Sequence, residues 1–579
     1  MRACTFWPWI ALLVSGSRVI LRDEVPEHVA PASYRTWRNL ESTNATNDRV
    51  NSTFGLDNLT HYAGYINVDP KNDGDLFYWL FEAQPDSSTE SAATLPLVIW
   101  LQGGPGCSSM LGLFVECGPF RIVNETSVKM NPYGWHKAAN MLFVDQPVGT
   151  GMSRVKYEAY PSTGKEVAAQ FYSFILGFLK RHPEYLAANG TSTRSIYLFG
   201  ESHAGRWIPQ FSSYIASQNE NHPLIHIRVD GVGIGNGWIH PIIQYDYSSF
   251  AHSHGLISIG QQASLQEEYA ECIAAIESGN MKANACFLNL NNILTSIQGT
   301  TERLNVFDIR QYGNSIHYPP EKPKLMELMN QEFVRNILPG VPSATDLVFA
   351  ECNSNLNRKL SAEDAVSTLS EISAMLSSGM QVLIFNGQWD MMCNALNTER
   401  LLQQLDWPGR ENFGSARRIS WHISSLDPPA GFVQSGGNLT HVIVRDAGHL
   451  VPYNAPEASL DMFTRFIRNR PFEGAAQSIR SSTVLQDDLC DLHNGRTSGV
   501  IIGVSVLVGM SSAVIASLLT LLCLRGQHNV VNTEDMDEED LDDENGDDVV
   551  DDWDESTDMI EMAELNRSPK RRAKSTEPG

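Results

Sequence analysis

The sequence has no basic stripe and no spacing of Cys and His of the kind that holds structural zinc, which together argue against a nucleic-acid partner. Positive charge is scarce throughout: 42 Lys and Arg face 67 Asp and Glu in 579 residues, a formal net charge of −25. The deficit is uneven. From Arg525 to Gly579 there are 19 acidic residues against 6 basic ones; the rest of the chain is only moderately acidic for its size. With 42% hydrophobic and 19% charged residues, most of it has the composition of a globular protein with a large core. One stretch lacks charge altogether. Thr497 to Leu524 is 28 uncharged residues, long enough to cross a bilayer and too long and uniform for an ordinary core helix. Cysteine is also sparse, with nine in all. Cys4 lies in the leader and Cys523 in the uncharged stretch. Seven remain (107, 117, 272, 286, 352, 393 and 490), an odd number that leaves at least one unpaired or bridged between chains. Cys272 and Cys286 flank a helical-looking stretch and could form a local bridge or pack as small apolar side chains.

At the N-terminus, Met1-Arg2, an apolar run from Phe6 to Val14 and Ser15-Gly16-Ser17 form a secretory signal over residues 1–17. Asn-x-Ser/Thr triplets at Asn44, Asn51, Asn58, Asn124, Asn189 and Asn438 are candidate glycosylation sites. The first three crowd together, so residues 18–57 are expected to be an exposed, glycosylated lead segment.

Chemistry centres on Phe199-Gly200-Glu201-Ser202-His203-Ala204-Gly205. The apolar run Ile196–Phe199 reads as a buried strand; a tight turn with one Ser follows, then small residues that open a helix. This is the strand–turn–helix pattern that lifts a nucleophilic hydroxyl out of a sheet. Leu97–Leu101 and Asn140–Asp145 are further strand-like runs ending in Gly-rich turns, and Gly164–Arg181 between them and the elbow has helical apolar spacing. Strands alternating with helices imply a mostly parallel sheet covered on both faces, with the active site at the carboxyl ends of its strands. About 241–343 has helical stretches and no convincing strand, as expected of a cap inserted over the sheet. The rhythm returns at Val382–Phe385, followed by Asp390, and at His441–Val444, followed by His449.

The order Ser202, Asp390, His449 is that of nucleophile, acid and base in an α/β-hydrolase fold. A Ser hydroxyl needs an imidazole to take its proton, and the imidazole needs a carboxylate to fix its tautomer and stabilise its charged form.

Trp100-Leu101-Gln102-Gly103-Gly104-Pro105-Gly106-Cys107-Ser108-Ser109, the Gly200-Glu201-Ser202-x-Ala204-Gly205 elbow, Gly235-Asn236-Gly237-Trp238-Ile239 and Gly448-His449-x-Val451-Pro452 together resemble the serine carboxypeptidases. The resemblance covers about Asn58 to Phe472. It implies that Gly104 and His203 give backbone N–H groups to an oxyanion hole, and that Trp100, Gln102, Glu116 and Glu201 bind the free C-terminal carboxylate. Two carboxyl groups held together cannot both ionise cheaply, so one keeps a proton to donate, and activity should fade as pH rises. The resemblance also implies disulfides Cys107–Cys352 and Cys272–Cys286, a free thiol at Cys393 near the site, and no metal or cofactor. The chain departs from the family at His203 (usually Tyr), Gln102 (commonly Asn), Leu450 (frequently Met) and Gln388-Trp389 before the acid.

The expected organisation is thus a signal (1–17), a lead segment (18–57), a catalytic domain (58–473), a lumenal stalk (474–496), a membrane span (497–524) and an acidic cytosolic tail (525–579) too polar to fold alone. The tail is a spacer or a sorting device. This layout resembles the membrane-anchored processing members of the family in the late Golgi, which trim C-terminal Lys and Arg from peptide precursors. A degradative carboxypeptidase of broad specificity, an acyltransferase and a non-catalytic adhesion protein are the competing readings.

Overall fold

The computed structural model describes residues 48–50 and 59–472, apart from 87–89, 188, 222, 281–285, 287–288, 291, 295–303, 313–317, 345 and 425–426. The expected signal, most of the lead segment, the stalk, the membrane span and the tail lie outside the described residues. So do Asn44, Asn51, Asn58, Cys4, Cys490 and Cys523. Among the described residues no helix is long and apolar enough to cross a membrane.

A ten-stranded sheet runs in the order β1-β2-β6-β3-β7-β8-β9-β12-β11-β10. Its strands are β1 (His61–Asp69), β2 (Gly74–Phe81), β3 (Leu97–Leu101), β6 (Asn140–Asp145), β7 (Ile196–Glu201), β8 (Val229–Gly235), β9 (Gln381–Gly387), β10 (Ile419–Trp421), β11 (Gly431–Gly436) and β12 (Leu439–Val444). A separate hairpin joins β4 (Phe120–Asn124) to β5 (Ser127–Met130). The pairings from β6 through β3, β7, β8 and β9 to β12 are all parallel. The outer strands are antiparallel additions at both edges. This is the α/β-hydrolase arrangement.

Parallel strands must be joined by crossovers, which cover both faces and bury the strands on each side. Every residue of β3 and of β6 is accordingly buried. On one face, helices α2 (Gly164–Arg181) and α3 (Ala204–Asn219) present Val167, Phe171, Phe174, Phe178, Trp207 and Phe211 to the sheet. α2 begins where Thr163 and Glu166 form a reciprocal capping box and ends on Lys180 and Arg181, charges suited to the helix dipole. On the other face, α1 (Met110–Val115) and a C-terminal helix (Pro456–Ile467) supply Phe114, Met462 and Phe463.

Between β8 and β9 the described residues form helices and turns and no named strand. The helices begin with α4 (Pro241–Gln244), α5 (Tyr247–Ser253) and α6 (Ile259–Glu277) and run on beyond residue 343, through Ser354–Leu360 to Leu369–Ser377. This insertion has its own core, which includes Tyr245, Tyr247, Phe250, Leu265 and the bridged Cys272 and Cys286.

Candidate active site

Ser202 is the first residue beyond β7, and its φ is +58°. A Ser in the left-handed region is strained, and such strain persists only where surrounding bonds over-determine it. Three do so here. Ser202 N–H donates to the Gly235 carbonyl (2.9 Å), while Ser202 C=O accepts from Trp238 N (2.8 Å) and Gly205 N (2.9 Å). The turn after β3 lies directly against this elbow: a Cβ added at Gly103 would sit 2.6 Å from Ser202 Cβ and 2.9 Å from His203 N. Only glycine permits that approach.

Asp145, fully buried at the end of β6, holds the far side of the same turn. It accepts from Ser108 Oγ (2.7 Å), Ser109 N (2.8 Å) and Met152 N (2.8 Å). Burial raises its pKa to about 6 against these donors, which pull it down. The Cys107–Cys352 disulfide ties the turn to the insertion just before its Ser354–Leu360 helix, and Asn353 N donates to Gly106 O at 3.0 Å.

Asp390 follows β9 and His449 follows β12, and both are buried. His449 Nδ1 donates to Asp390 Oδ2 at 2.8 Å, which leaves Nε2 as the acceptor that a general base requires. The same oxygen accepts from Asn236 Nδ2 (2.6 Å) and Cys393 N (3.1 Å), and Asp390 Oδ1 accepts from Met392 N (2.9 Å). The insertion contributes as well, for His449 N donates to the Phe307 carbonyl (2.7 Å) and the Phe307 ring packs against the imidazole. Asn236 also links this pair to the elbow: it stands between Gly235 and Trp238, which bond the backbone of Ser202, and its Oδ1 accepts from Gly387 N at 3.1 Å.

The residues expected to bind a carboxylate form one buried chain. Trp100 Nε1 donates to Gln102 Oε1 (2.9 Å), and Gln102 Nε2 donates to Glu201 Oε1 (2.6 Å) and Glu116 Oε1 (3.4 Å). Glu116 Oε1 and Glu201 Oε1 thus share one amide, and two carboxyl groups held this close cannot both ionise cheaply, so one keeps a proton. Their remaining oxygens, Glu116 Oε2 and Glu201 Oε2, are buried with no fixed donor. Burial raises Glu116 to about 7, and burial together with the Glu116 charge pushes Glu201 well above the carboxylate range. A neutral carboxyl group that can donate a hydrogen bond to an anion is therefore present near neutral pH.

The Cys107–Cys352 and Cys272–Cys286 bridges are both present, while Cys117 and Cys393 are buried free thiols that burial keeps protonated. The Cys393 sulfur, an Asp390 oxygen and a His449 nitrogen lie within 4.8 Å of one another. The candidate glycosylation sites divide by their surroundings. Asn189 is exposed in a turn, with its Oδ1 accepting from Thr191 N. Asn124 accepts from Thr126 and Ser127, which leaves its amide nitrogen uncommitted to those bonds. Asn438 instead donates its amide to the Leu376 and Met380 carbonyls (2.9 and 2.5 Å) and serves as a structural tie.

Asn236, Asp145 and Phe307 were not legible as site residues. The positive φ of Asn236 (+40°) is consistent with its place between two glycines, but its contact with Asp390 depends on β8 and β9 being neighbours.

Comparison with known proteins points one way. Residues 52–469 match the model of the family described as serine carboxypeptidase. The chain is 38% identical over 524 residues to a pheromone-processing carboxypeptidase KEX1 of Phytophthora infestans, covering 84% of this chain and 87% of that protein. It is 33% identical over 429 residues to a pheromone-processing carboxypeptidase of Aspergillus niger, covering 71% and 67%. Among solved structures, a prohormone-processing carboxypeptidase of Saccharomyces cerevisiae superposes with a TM-score of 0.65 at 25% identity, over 74% of this chain and 96% of that one.

Proposed function

Because the chain belongs to the serine carboxypeptidase family and is a peptidase, we propose that it removes C-terminal residues, Lys and Arg by preference, from precursor peptides in the late secretory pathway. Ser202 Oγ is the nucleophile. His449 Nε2 takes its proton, and Asp390 holds the imidazole in the required tautomer and stabilises it once charged. The backbone N–H groups of Gly104 and His203 receive the oxyanion as the carbonyl becomes tetrahedral. The released amine takes the proton from His449, leaving an acyl group on Ser202. Water, activated by the same imidazole, then frees the shortened peptide.

The observation that carries an exopeptidase reading is the buried pair Glu116 and Glu201, with Glu201 next in sequence to Ser202. A protonated carboxyl there donates to a peptide's terminal carboxylate and so fixes which bond reaches the serine. An internal peptide bond offers no such anion. Gln102 orients both carboxyl groups, and Trp100 fixes Gln102.

The preference for Lys and Arg and the trafficking route are supported from outside the site. The relatives named above are described as pheromone-processing enzymes. The signal at 1–17 and the uncharged stretch 497–524 fit a single-pass protein of the trans-Golgi network, with residues 58–473 in the lumen and the acidic tail offered to cytosolic sorting machinery. A broad-specificity reading is favoured by one observation: the residue after the base is Leu450, buried and apolar.

Release of the last residue from matched peptides ending in Arg, Lys, Leu or Phe, at mildly acidic and neutral pH, decides between these readings. Release of Lys and Arg that disappears in Ser202→Ala supports the processing role. Preferred release of Leu and Phe moves the protein to the broad-specificity class, and no release from any peptide sinks the carboxypeptidase mechanism.

A further inference from the structure

One stretch of the insertion touches acid and base together. Leu304 and Tyr312 pair as an antiparallel bridge, and Asn305 N donates to Gln311 O at 3.0 Å, closing a loop over residues 306–310. The backbone of this loop bonds the segments that carry both groups. Val306 C=O accepts from Met391 N (3.0 Å) and Met392 N (3.2 Å), and Ile309 N donates to the Trp389 carbonyl (3.1 Å). These bonds fall on either side of Asp390. Between them in the loop, Phe307 C=O accepts from His449 N at 2.7 Å. Bonds to main-chain groups fix where the backbone of each residue stands, so one loop sets both positions from which the Asp390–His449 bond is made. The approach is close. A Cβ added at Gly448 would sit 2.4 Å from Phe307 O and 2.7 Å from Asp308 Cβ, so only glycine fits before the base.

The loop keeps its shape through Asp308, which stands between Phe307 and Ile309 and is wholly buried. Arg310 donates to its two oxygens in a fork, Nε to Oδ1 at 2.8 Å and Nη2 to Oδ2 at 2.7 Å, and Gln311 Nε2 donates to Oδ2 at 3.0 Å. Paired donors of this kind fix orientation as well as distance. The start of the loop is fixed in the same way from within: Phe307 N donates to Asn305 Oδ1 (3.0 Å), and Asp308 N to the Asn305 carbonyl (3.2 Å). These side-chain bonds of Asp308 go to its own loop and not to the triad, so any influence on Asp390 and His449 passes through the loop backbone.

Resting on the carboxypeptidase reading above, we propose that Asp308 is a positioning residue for the reaction. Locked by Arg310, it holds the backbone of Val306, Phe307 and Ile309 against the acid-bearing and base-bearing segments, and the insertion thereby aligns Asp390 with His449. The sheet brings the two residues to the same end, and this loop sets their register.

The test follows two rates in Asp308→Asn, which keeps the size of the side chain but turns an amide N–H toward donors that need an acceptor. For peptide release, kcat is expected to fall about tenfold with KM within about twofold of the wild type, because alignment is lost and the carboxylate site is not touched. The second rate is labelling of Ser202 by a fluorophosphonate, which needs the aligned triad and no C-terminal carboxylate. Its rate constant should fall by the same factor. A merely structural role would lower the fraction of molecules labelled at completion and leave the rate constant of the folded ones unchanged. Arg310→Gln changes a partly exposed side chain and should lower both rates about threefold; it carries the test if thermal melting shows that Asp308→Asn does not fold. The double variant should be no slower than Asp308→Asn alone, since both act through one pair. A loss confined to the labelled fraction, a loss confined to KM, or rates within twofold of the wild type in the folded variants overturns the proposal. Failure of the carboxypeptidase reading looks different: the wild-type protein shortens no peptide, while the labelling rate of Ser202 still reports on Asp308. A wild type that takes no label overturns both.

Discussion

At Asp390 the hydrogen-bond inventory is full: one oxygen takes His449, Asn236 and Cys393, and the other takes Met392. The Asn236 bond is the one that a single substitution can remove without touching the three proposed triad residues. Asn236→Ala is expected to lower kcat by about tenfold to a hundredfold with little change in KM, because it frees the carboxylate that orients the imidazole rather than any group that binds peptide. A KM rise with unchanged kcat would refute that role. The carboxyl pair makes a second prediction. Glu116 titrates near 7 and Glu201 above the ordinary carboxylate range, both chiefly through burial. Above about pH 7 Glu116 ionises while Glu201 keeps its proton, so a fixed negative charge then faces the substrate carboxylate beside the remaining donor, and KM should climb on the alkaline side. Glu116→Gln/Glu201→Gln puts neutral amides in both places; its KM should be higher at acidic pH and should lose the alkaline climb. A wild-type KM that stays flat across neutrality would remove the pair from binding. Ser202, Asp390 and His449 could be picked out in the sequence because each follows an apolar run at a characteristic turn. Asn236 could not, since nothing local in Gly-Asn-Gly marks a partner 154 residues away.

The same contrast holds for elements. β3, β6, β7, β9 and β12 were legible because central parallel strands are buried on both faces and read as unbroken apolar runs. β8 carries Gly231, Gly233 and Gly235, a composition poor in strand propensity. Its glycines leave room for the rings of Tyr197, Phe199 and Phe385 on the flanking strands, a reason visible only in the assembled sheet. The turn after β3 depends on elements distant in the chain: Asp145 at the end of β6, and Cys352, 245 residues on from Cys107. Asp145→Ala would leave Ser108 Oγ and two backbone N–H groups buried without an acceptor, at an expected cost of about 2–4 kcal/mol. Denaturant unfolding checks the figure. Because Gly104 lies in that turn, the surviving folded enzyme should also lose kcat more than it gains in KM. A variant as stable as the wild type would show that water or a shifted backbone replaces the carboxylate.

Across the whole molecule, every group proposed for catalysis sits at the carboxyl end of one sheet, and the insertion between β8 and β9 reaches the same end through Phe307, Cys352 and Asp364. This unit also carries the candidate glycosylation sites Asn124, Asn189 and Asn438 among the described residues, so glycans attached there would report on the proposed membrane topology. Exposed Asn189 and the uncommitted amide of Asn124 are suited to accept glycans, whereas Asn438 spends its amide on two carbonyls that hold the start of β12. If 497–524 is a span with the catalytic unit in the lumen, Asn189→Gln and Asn124→Gln should each remove one endoglycosidase-sensitive increment of mass, and Asn438→Gln none. In sealed microsomes, added protease should remove the acidic tail while the glycosylated unit stays protected until detergent opens the vesicles. Both measurements bear on the same topology. A tail protected together with the glycans would place both on one side of the membrane, and a chain released by alkaline carbonate would leave the uncharged stretch without its membrane role.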